Sequence, residues 1–135
     1  MENKSKIKEA DSYFKKGKSA TSTGLLKWSA DHLSASMHFE QAAKLYKETG
    51  QNDKAKEAFV KYAQSSEKLD SRGCAADGFT QAAFLERNYN QQIKYLKLAE
   101  EQYLIDGQGD RALTSFKEFA KEQLEKYEDG VDNGR

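Results

Sequence analysis

The chain carries the stretch FEQAAKL at residues 39–45 and returns to it as FTQAAFL at residues 79–85. A second pair of segments is GQNDKA at 50–55 and GQGDRA at 107–112, each followed by a phenylalanine and then an alanine at four-residue spacing. The two offsets are 40 and 57 residues. Because one helix with its turn takes about twenty residues, these offsets correspond to two and three helices. The sequence therefore predicts an all-α stack of similar antiparallel helices, an architecture that usually binds other macromolecules.

The composition fits a single helical domain. Of 135 residues, 33% are charged, and proline is absent. The 22 basic and 22 acidic residues give a formal net charge of zero. No global field therefore attracts the protein to nucleic acid or to anionic lipid, and any electrostatic partner must be recognised by a local patch.

The only cysteine, Cys74, lies in an alanine-rich stretch, so we expect a buried structural thiol and no disulfide framework or thiolate zinc site. Residues 1–10 are charged and contain no apolar run. We therefore expect no signal peptide and no membrane-spanning segment, and a cytosolic protein.

Motifs for catalysis are nearly absent, and no metal or cofactor is predicted. His32 and His38 are six residues apart, about 240° around a helix, so they cannot hold a metal jointly and are expected at the surface. Gly-rich phosphate loops, His-Glu-x-x-His pairs and serine nucleophile elbows do not occur. We therefore do not expect an enzyme. An enzyme using Cys74 would require an exposed thiol with a depressed pKa.

Apolar periodicity predicts six helices, beginning near residues 4, 31, 53, 71, 90 and 110. Gly17 is expected to end the first helix, and residues 18–30 to form a long loop containing an apolar cluster. Asp31 is expected to cap the second helix. The predicted helical domain covers residues 1–128, and the polar segment 129–135 is expected to be a flexible tail.

Small residues alternate with rings along these helices, as in stacks where a ring on one helix lies over an alanine on the next. We therefore interpret Phe39, Phe59, Phe79 and Phe116 as core residues. An apolar face with Phe116, Phe119 and Leu124 is expected to remain exposed on the last helix and to favour self-association. The predicted inward positions are Ile7, Ala10, Tyr13, Phe14, Leu33, Met37, Phe39, Ala43, Tyr46, Ala55, Ala58, Phe59, Tyr62, Ala63, Ala75, Ala76, Phe79, Ala82, Ala83, Leu85, Ile93, Leu96, Ala99, Tyr103, Leu104, Ala112, Leu113, Phe116, Ala120, Leu124 and Tyr127.

Three segments carry a family resemblance: GLLKW at 24–28, FEQAA at 39–43 and DKAKEA at 53–58. They resemble the N-terminal part of the soluble NSF attachment proteins, with a loop most similar to the gamma type. The resemblance spans about residues 7–127. It implies a twisted sheet of helical hairpins, a TPR-like α-α superhelix whose helices are longer than those of tetratricopeptide repeats.

The resemblance implies an adaptor function in vesicle fusion. Such an adaptor lays its concave face along the four-helix SNARE bundle and recruits the hexameric ATPase NSF, which disassembles the complex. It implies a cytoplasmic protein that associates peripherally with vesicle or endomembrane surfaces.

The resemblance also assigns a membrane-contacting loop. Leu25, Leu26 and Trp28 match the apolar tip between the first two helices of family members, and Lys27 would face anionic headgroups. In the structural alternative, Trp28 folds back on Phe14 or Phe39 and closes the end of the stack.

SNARE contact in the family is largely electrostatic. Arg87, at the end of the fourth helix, and Lys94 and Lys97 on the fifth match the region where relatives carry basic residues. Near Gly50 this chain lacks a lysine that some relatives have. We therefore treat the three residues as one patch that faces the SNARE bundle.

Full members of the family are roughly twice as long and engage NSF through C-terminal helices, whereas this chain corresponds to their N-terminal half. A complete protein of this length is expected to bind membrane and part of a SNARE bundle without stimulating NSF. The competing hypothesis is a generic helical-repeat scaffold that binds a protein or peptide in its groove. The apolar loop distinguishes the two, because such a scaffold has no need of an exposed apolar tip.

Overall fold

The computed structural model describes the backbone of residues 2–22 and 28–132 and the side chains of residues 3–21 and 31–126. Over these residues the chain forms six helices and no strand, and each helix packs against the next one. The predicted all-α stack of antiparallel hairpins is confirmed. The helices are α1 (Glu2–Ser22), α2 (Trp28–Glu48), α3 (Asn52–Lys68), α4 (Arg72–Leu85), α5 (Tyr89–Ile105) and α6 (Gly109–Asp132).

Short turns join most of these helices. Gly50 and Gly107 have φ of 76° and 72°, a left-handed conformation that glycine adopts without steric cost. Each glycine is the first residue of one copy of the repeated GQ-x-D segment. The segment therefore recurs because both copies form the same type of turn between two helices. The C-terminal ends of α1, α3 and α5 lie at one end of the stack, here called the tip end. The turns α2–α3 and α4–α5 lie at the other, the turn end.

Three predicted boundaries were wrong, and Asp31, which was expected to cap α2, lies in the first turn of that helix. The first helix does not stop at Gly17 but continues to Ser22, and α2 begins at Trp28, so much of the expected 18–30 loop is helical. Gly17 lies inside α1 and packs against Phe39. A Cβ at this position would lie only 2.7 Å from Cε1 of the Phe39 ring, so a larger residue would not fit. α6 likewise runs to Asp132, into the segment expected to be a flexible tail, whose last residues lie outside the described ones.

The core consists of alanines and rings, as predicted. Phe39 and Phe79 are each 2% exposed, and the alanines that face them are fully buried. Gly78 marks the tightest contact between α3 and α4, because a Cβ at this position would lie 2.9 Å from both the Ala63 Cβ and the Phe59 carbonyl oxygen. The backbones of these two helices therefore approach more closely than an alanine would permit.

Several predicted inward residues are exposed instead, by more than half of their surface: Leu33, Met37, Leu104, Leu113 and Leu124. Alanines and rings fill the interface of α2, while α5 buries Gln92, Leu96, Ala99, Gln102 and Tyr103, and the exposed leucines and methionine lie beside these contact stripes. In α6, Ala120 is also exposed and Phe116 is half-buried, because the described residues place α5 on only one side of that helix. Phe119, expected on the exposed face, is 5% exposed and belongs to the core. The side chain of Tyr127 lies outside the described ones.

Helices two apart in the chain also meet, along two faces of the stack. On one face, Lys47 of α2 donates a hydrogen bond to Gln81 of α4 over 2.9 Å. On the other, the Lys54 ammonium of α3 lies 4.0 Å from the Asp11 carboxylate of α1. We call these the even face, formed by α2, α4 and α6, and the odd face, formed by α1, α3 and α5.

The close contact at Gly78 yields the first prediction. Gly78→Ala should lower the free energy of unfolding by about 1–2 kcal/mol, because the new methyl group meets backbone and must push α3 and α4 apart. Gly73→Ala is the matched control in the same helix, since its Cβ would have no neighbour closer than 3.8 Å. It should stabilise the protein by up to about 1 kcal/mol through helix propensity. Urea unfolding followed by circular dichroism measures both, and equal stability of the two variants would contradict the proposed close packing.

Candidate partner-binding surfaces

The predicted membrane-contacting residues Leu25, Leu26 and Lys27 lie outside the described residues, and Trp28 is described only as the first backbone residue of α2. The described helices stop on either side of this segment: α1 ends at Ser22 and α2 begins at Trp28. The membrane function of these residues therefore stays a prediction.

Of the predicted basic patch, two residues share one surface. Lys94 and Lys97 are exposed on successive turns of α5 and border a shallow depression of about 390 Å³ with Ile93. Arg87 is also exposed, but it borders a different depression, of about 340 Å³, together with Lys126 of α6. The three residues thus form a lysine pair and a separate arginine near the turn end, rather than one pocket.

A hydrogen-bond network fixes the backbone at Arg87. The Glu86 carboxylate accepts from the N–H groups of Arg87 (3.0 Å) and Asn88 (3.1 Å) and pairs with the Lys56 ammonium at 2.9 Å. The Gln92 amide donates to the Glu86 carbonyl over 2.7 Å. The α4–α5 turn is therefore held by side chains from α3 and α5. Sequence reasoning missed Glu86 and Lys56, because their partnership spans 30 residues and has no local signal.

The network also changes the acidity of its members. Burial acts to raise the pKa of Glu86, but the hydrogen bonds from Lys56 and from the N–H groups of Asn88 and Arg87 outweigh burial and lower it. The hydrogen bond to Glu86 raises the pKa of Lys56, while burial opposes this shift. Both groups therefore remain charged throughout the neutral pH range.

A wider groove of about 530 Å³ opens on the even face between α2 and α4. Phe59 and Tyr62 of α3 line it, and its rim carries both charge signs, including Lys44 of α2 and Asp77 of α4. Burial and a hydrogen bond with Cys74 raise the pKa of the Tyr62 hydroxyl, which therefore stays protonated. The groove was not predicted, because its charged residues occupy ordinary solvent positions on their own helices.

Cys74 is exposed at the start of α4, so the predicted buried thiol was wrong. The exposed thiol still reaches the Tyr62 hydroxyl of α3, whereas Ala75 and Ala76, which follow it in sequence, are fully buried. His32 and His38 are half-buried rather than fully at the surface, and the His38 ring stacks on Tyr13 with ring centroids 6.0 Å apart. Within the described part of the chain, no group of His, Cys, Asp and Glu residues is arranged to hold a metal ion.

The Glu86 network yields the second prediction. Glu86→Gln should lower the free energy of unfolding by about 1–2 kcal/mol at neutral pH, since it removes the charge that Lys56 pairs with. A folded-state pKa below the ordinary 4.5 means that the carboxylate stabilises the fold above pH 4.5. This contribution is lost as pH falls through the lowered folded-state pKa. The difference between wild type and variant should therefore disappear in acid.

Urea titrations at neutral pH and at successively lower pH values measure this effect. Glu101→Gln, at an exposed position of α5, is the control and should match wild type throughout. A wild-type advantage over Glu86→Gln that persists unchanged in acid would contradict the assignment.

Over the described residues, no helix is both long enough and apolar enough to span a bilayer. A family model described as "Soluble NSF attachment protein, SNAP" matches residues 2–133, which is nearly the whole chain. The match agrees with the stack of helical hairpins and with the resemblance seen in the loop and repeat segments. The chain belongs to the soluble NSF attachment protein family.

Proposed function

We propose that this chain acts as a gamma-type adaptor of vesicle fusion, which binds SNARE complexes at membranes and recruits the ATPase NSF for their disassembly. The observation that carries the proposal is the family match over residues 2–133. The family role in general implies SNARE and NSF as partners and a peripheral position on cytoplasmic membrane surfaces. The proposal adds two contact regions to that role.

The first contact region is the lysine pair on α5. Lys94 and Lys97 are exposed, lie one turn apart and border the same depression, so both ammonium groups can approach one acidic surface. Arg87 extends the basic region toward the turn end. Its backbone N–H donates to the Glu86 carboxylate, which holds the backbone in place. A rigid turn limits the entropy lost when the arginine binds a carboxylate.

The second contact region is the loop of residues 24–28. Two leucines and a tryptophan at the end of a hairpin can enter the interfacial region of a bilayer, where tryptophan is enriched. Each side chain would contribute on the order of 1–3 kcal/mol when fully buried. Such contacts are weak alone, and they would raise the effective concentration of the protein at membrane-embedded SNARE complexes.

A test in solution addresses the lysine pair. Lys94→Gln/Lys97→Gln should weaken binding to a soluble, assembled SNARE complex about fivefold, because two exposed charges together contribute about 1 kcal/mol. Lys117→Gln/Lys121→Gln removes the same charge from α6 and should bind as wild type does. Titration by fluorescence anisotropy at two salt concentrations measures the effect, which should shrink at high salt. Equal weakening by both pairs would indicate an unspecific charge effect and contradict the assignment.

A second test uses liposomes that carry assembled SNARE complexes. Wild type should cosediment with them. Addition of NSF with a non-hydrolysable ATP analogue then measures whether this chain also brings the ATPase into the pellet. Leu25→Ser/Leu26→Ser/Trp28→Ser should lower recovery on liposomes and leave binding to the soluble complex unchanged. Failure of folded wild type to bind SNARE complexes in either form would overturn the adaptor proposal.

The second candidate function is a helical-repeat scaffold that binds a peptide, and the even-face groove favours it. Gln81 borders the groove beside Gly78, so Gln81→Trp should fill the groove. If this substitution abolished SNARE binding while the lysine and loop variants bound normally, the groove rather than the proposed regions would be the recognition site.

A further inference from the structure

The depression of about 340 Å³ that Arg87 borders lies at the turn end, where four parts of the chain meet. The start of α3 forms one edge, and residues 84–87 form the wall at the end of α4 and in the turn that follows. Gln92 of α5 and two residues of α6, Gln123 and Lys126, complete the lining. Residues that are distant in sequence therefore converge here only because of the fold.

Charge pairing around this depression leaves Arg87 as an unpaired cation. The Glu86 carboxylate is engaged by Lys56 at 2.9 Å and by two backbone N–H groups. The Lys126 ammonium pairs with Glu122 at 3.1 Å. Among the described residues, no hydrogen bond or ion pair engages the Arg87 guanidinium. The depression therefore carries one uncompensated positive charge.

An amide donor without a partner lies at the same place. The Nε2 atom of Gln123 is buried, and no acceptor among the described residues binds it. The Gln92 amide, by contrast, donates to the carbonyl oxygens of Ala83 (3.4 Å) and Glu86 (2.7 Å). A buried donor without an acceptor costs stability, so this one calls for an acceptor from outside the chain. An amide turns easily about its terminal bond and can present the donor to an oxygen atom in the depression.

The wall beside Arg87 is apolar and well supported. Phe84 and Leu85 are half-buried at the end of α4, and the Phe84 ring lies 6.3 Å from the Phe119 ring of α6, centroid to centroid. The backbone N–H of Arg87 donates to the Glu86 carboxylate over 3.0 Å, so the guanidinium extends from a fixed point next to this wall. A ligand in so small a depression meets a planar cation and an apolar surface together.

These features favour one ligand chemistry. A guanidinium binds a carboxylate through two parallel N–H bonds, and one unpaired guanidinium balances its single charge. A phosphate dianion would remain half compensated. The depression is near the lower limit for ligand pockets, so it has room for few groups. A C-terminal apolar residue carries a carboxylate and an apolar side chain on the same Cα, whereas an internal acidic residue offers only the carboxylate.

We propose that this depression binds the C-terminal carboxylate of a partner chain that ends in an apolar residue. Arg87 binds the carboxylate through two N–H groups, and the Gln123 amide donates to the same group. Phe84 and Leu85 contact the terminal side chain. The inference goes beyond the proposed function, in which Arg87 only extends the lysine pair of α5, and it gives α6 a part in recognition.

The test uses small probes and isotope-labelled protein in NMR titrations. N-acetyl-leucine carries both recognised groups and should bind with about millimolar affinity. It should shift the side-chain amide signals of Gln123 and the backbone signals of residues 84–88. N-acetyl-leucine amide lacks the charge and should bind at least tenfold more weakly. Acetate lacks the side chain, and N-acetyl-glutamate amide carries its carboxylate on a side chain, so both should bind several-fold more weakly than N-acetyl-leucine.

Two variants test the named donors. Arg87→Gln should weaken binding of N-acetyl-leucine tenfold or more, since it removes the unpaired charge. The matched control, Lys97→Gln, removes an exposed charge beside a different depression and should bind within about twofold of wild type. Gln123→Met should weaken binding several-fold without lowering the midpoint of thermal unfolding, because the donor that it removes is buried without a partner. The NMR spectrum of each variant establishes that it is folded.

Several outcomes would overturn the inference: no shifts at the depression with N-acetyl-leucine, equal binding of its amide, or an equal loss in Arg87→Gln and Lys97→Gln. Equal binding of N-acetyl-glutamate amide would assign the depression to acidic side chains and overturn the C-terminal assignment. A lowered midpoint for Gln123→Met would show a structural role and overturn the part given to that residue.

The adaptor function is tested separately. Lys94→Gln/Lys97→Gln should weaken binding to the soluble SNARE complex and leave binding of N-acetyl-leucine unchanged. If wild type bound N-acetyl-leucine as expected but failed to bind SNARE complexes, only the proposed function would be contradicted. If it bound SNARE complexes but no probe, only the C-terminal carboxylate site would be.

Discussion

Close approach of neighbouring helices is the constraint on which the rest of this structure depends. Gly17 leaves room for the Phe39 ring, and Gly78 leaves room for Ala63 and the α3 backbone. In both places a missing Cβ, which costs about 1 kcal/mol in helix propensity, is offset by contact between large and small groups. The interfaces at these two contacts are thereby narrow, and alanines and rings make up most of the buried apolar residues. A thin layer of helices can then bury a continuous core although few large aliphatic side chains take part.

This narrow packing also explains which apolar residues remain outside. Leu33, Met37 and Leu104 are too large for interfaces that alanines set, and they occupy helix positions beside the contact stripe. Their exposure follows from packing distance rather than from hydrophobicity. Leu33 and Met37 are therefore exposed near the N-terminal end of α2, one turn apart.

Periodicity and internal repeats were sufficient to predict the six helices and most of the core. Phe39, Phe59 and Phe79 are buried where the ring and alanine pattern placed them. Similarity between repeats predicted burial wrongly where the neighbouring helices of the two copies differ. Ala63 and Ala120 hold equivalent repeat positions, yet Ala63 is buried under α4 while Ala120 is exposed. The helix that covers a position is a property of the stack and is not encoded in the repeat itself.

The proposed contact regions were harder to predict from the sequence than the helices and the core, because they depend on residues that only the fold brings together. Lys94 and Lys97 form a pair that helical spacing alone would suggest, whereas Arg87 depends on Glu86 and Lys56, which are distant in sequence. Gly17 was misread for a related reason. Glycine commonly ends helices, and only its contact with Phe39, 22 positions further on, shows why it occurs within one.

Zero net charge describes this protein poorly, because charge acts over short distances in salt. At physiological ionic strength the screening length is about 8 Å. A helix of 21 residues such as α1 is about 30 Å long, so charges at its two ends are almost independent of each other. Near the tip end of α1, Asp11 borders the same depression as Lys15 and Lys18, so two basic groups face one acidic group there. A neutral chain can therefore present a cationic end to one partner and a mixed surface to another, and its surface potential has to be considered for each end and face.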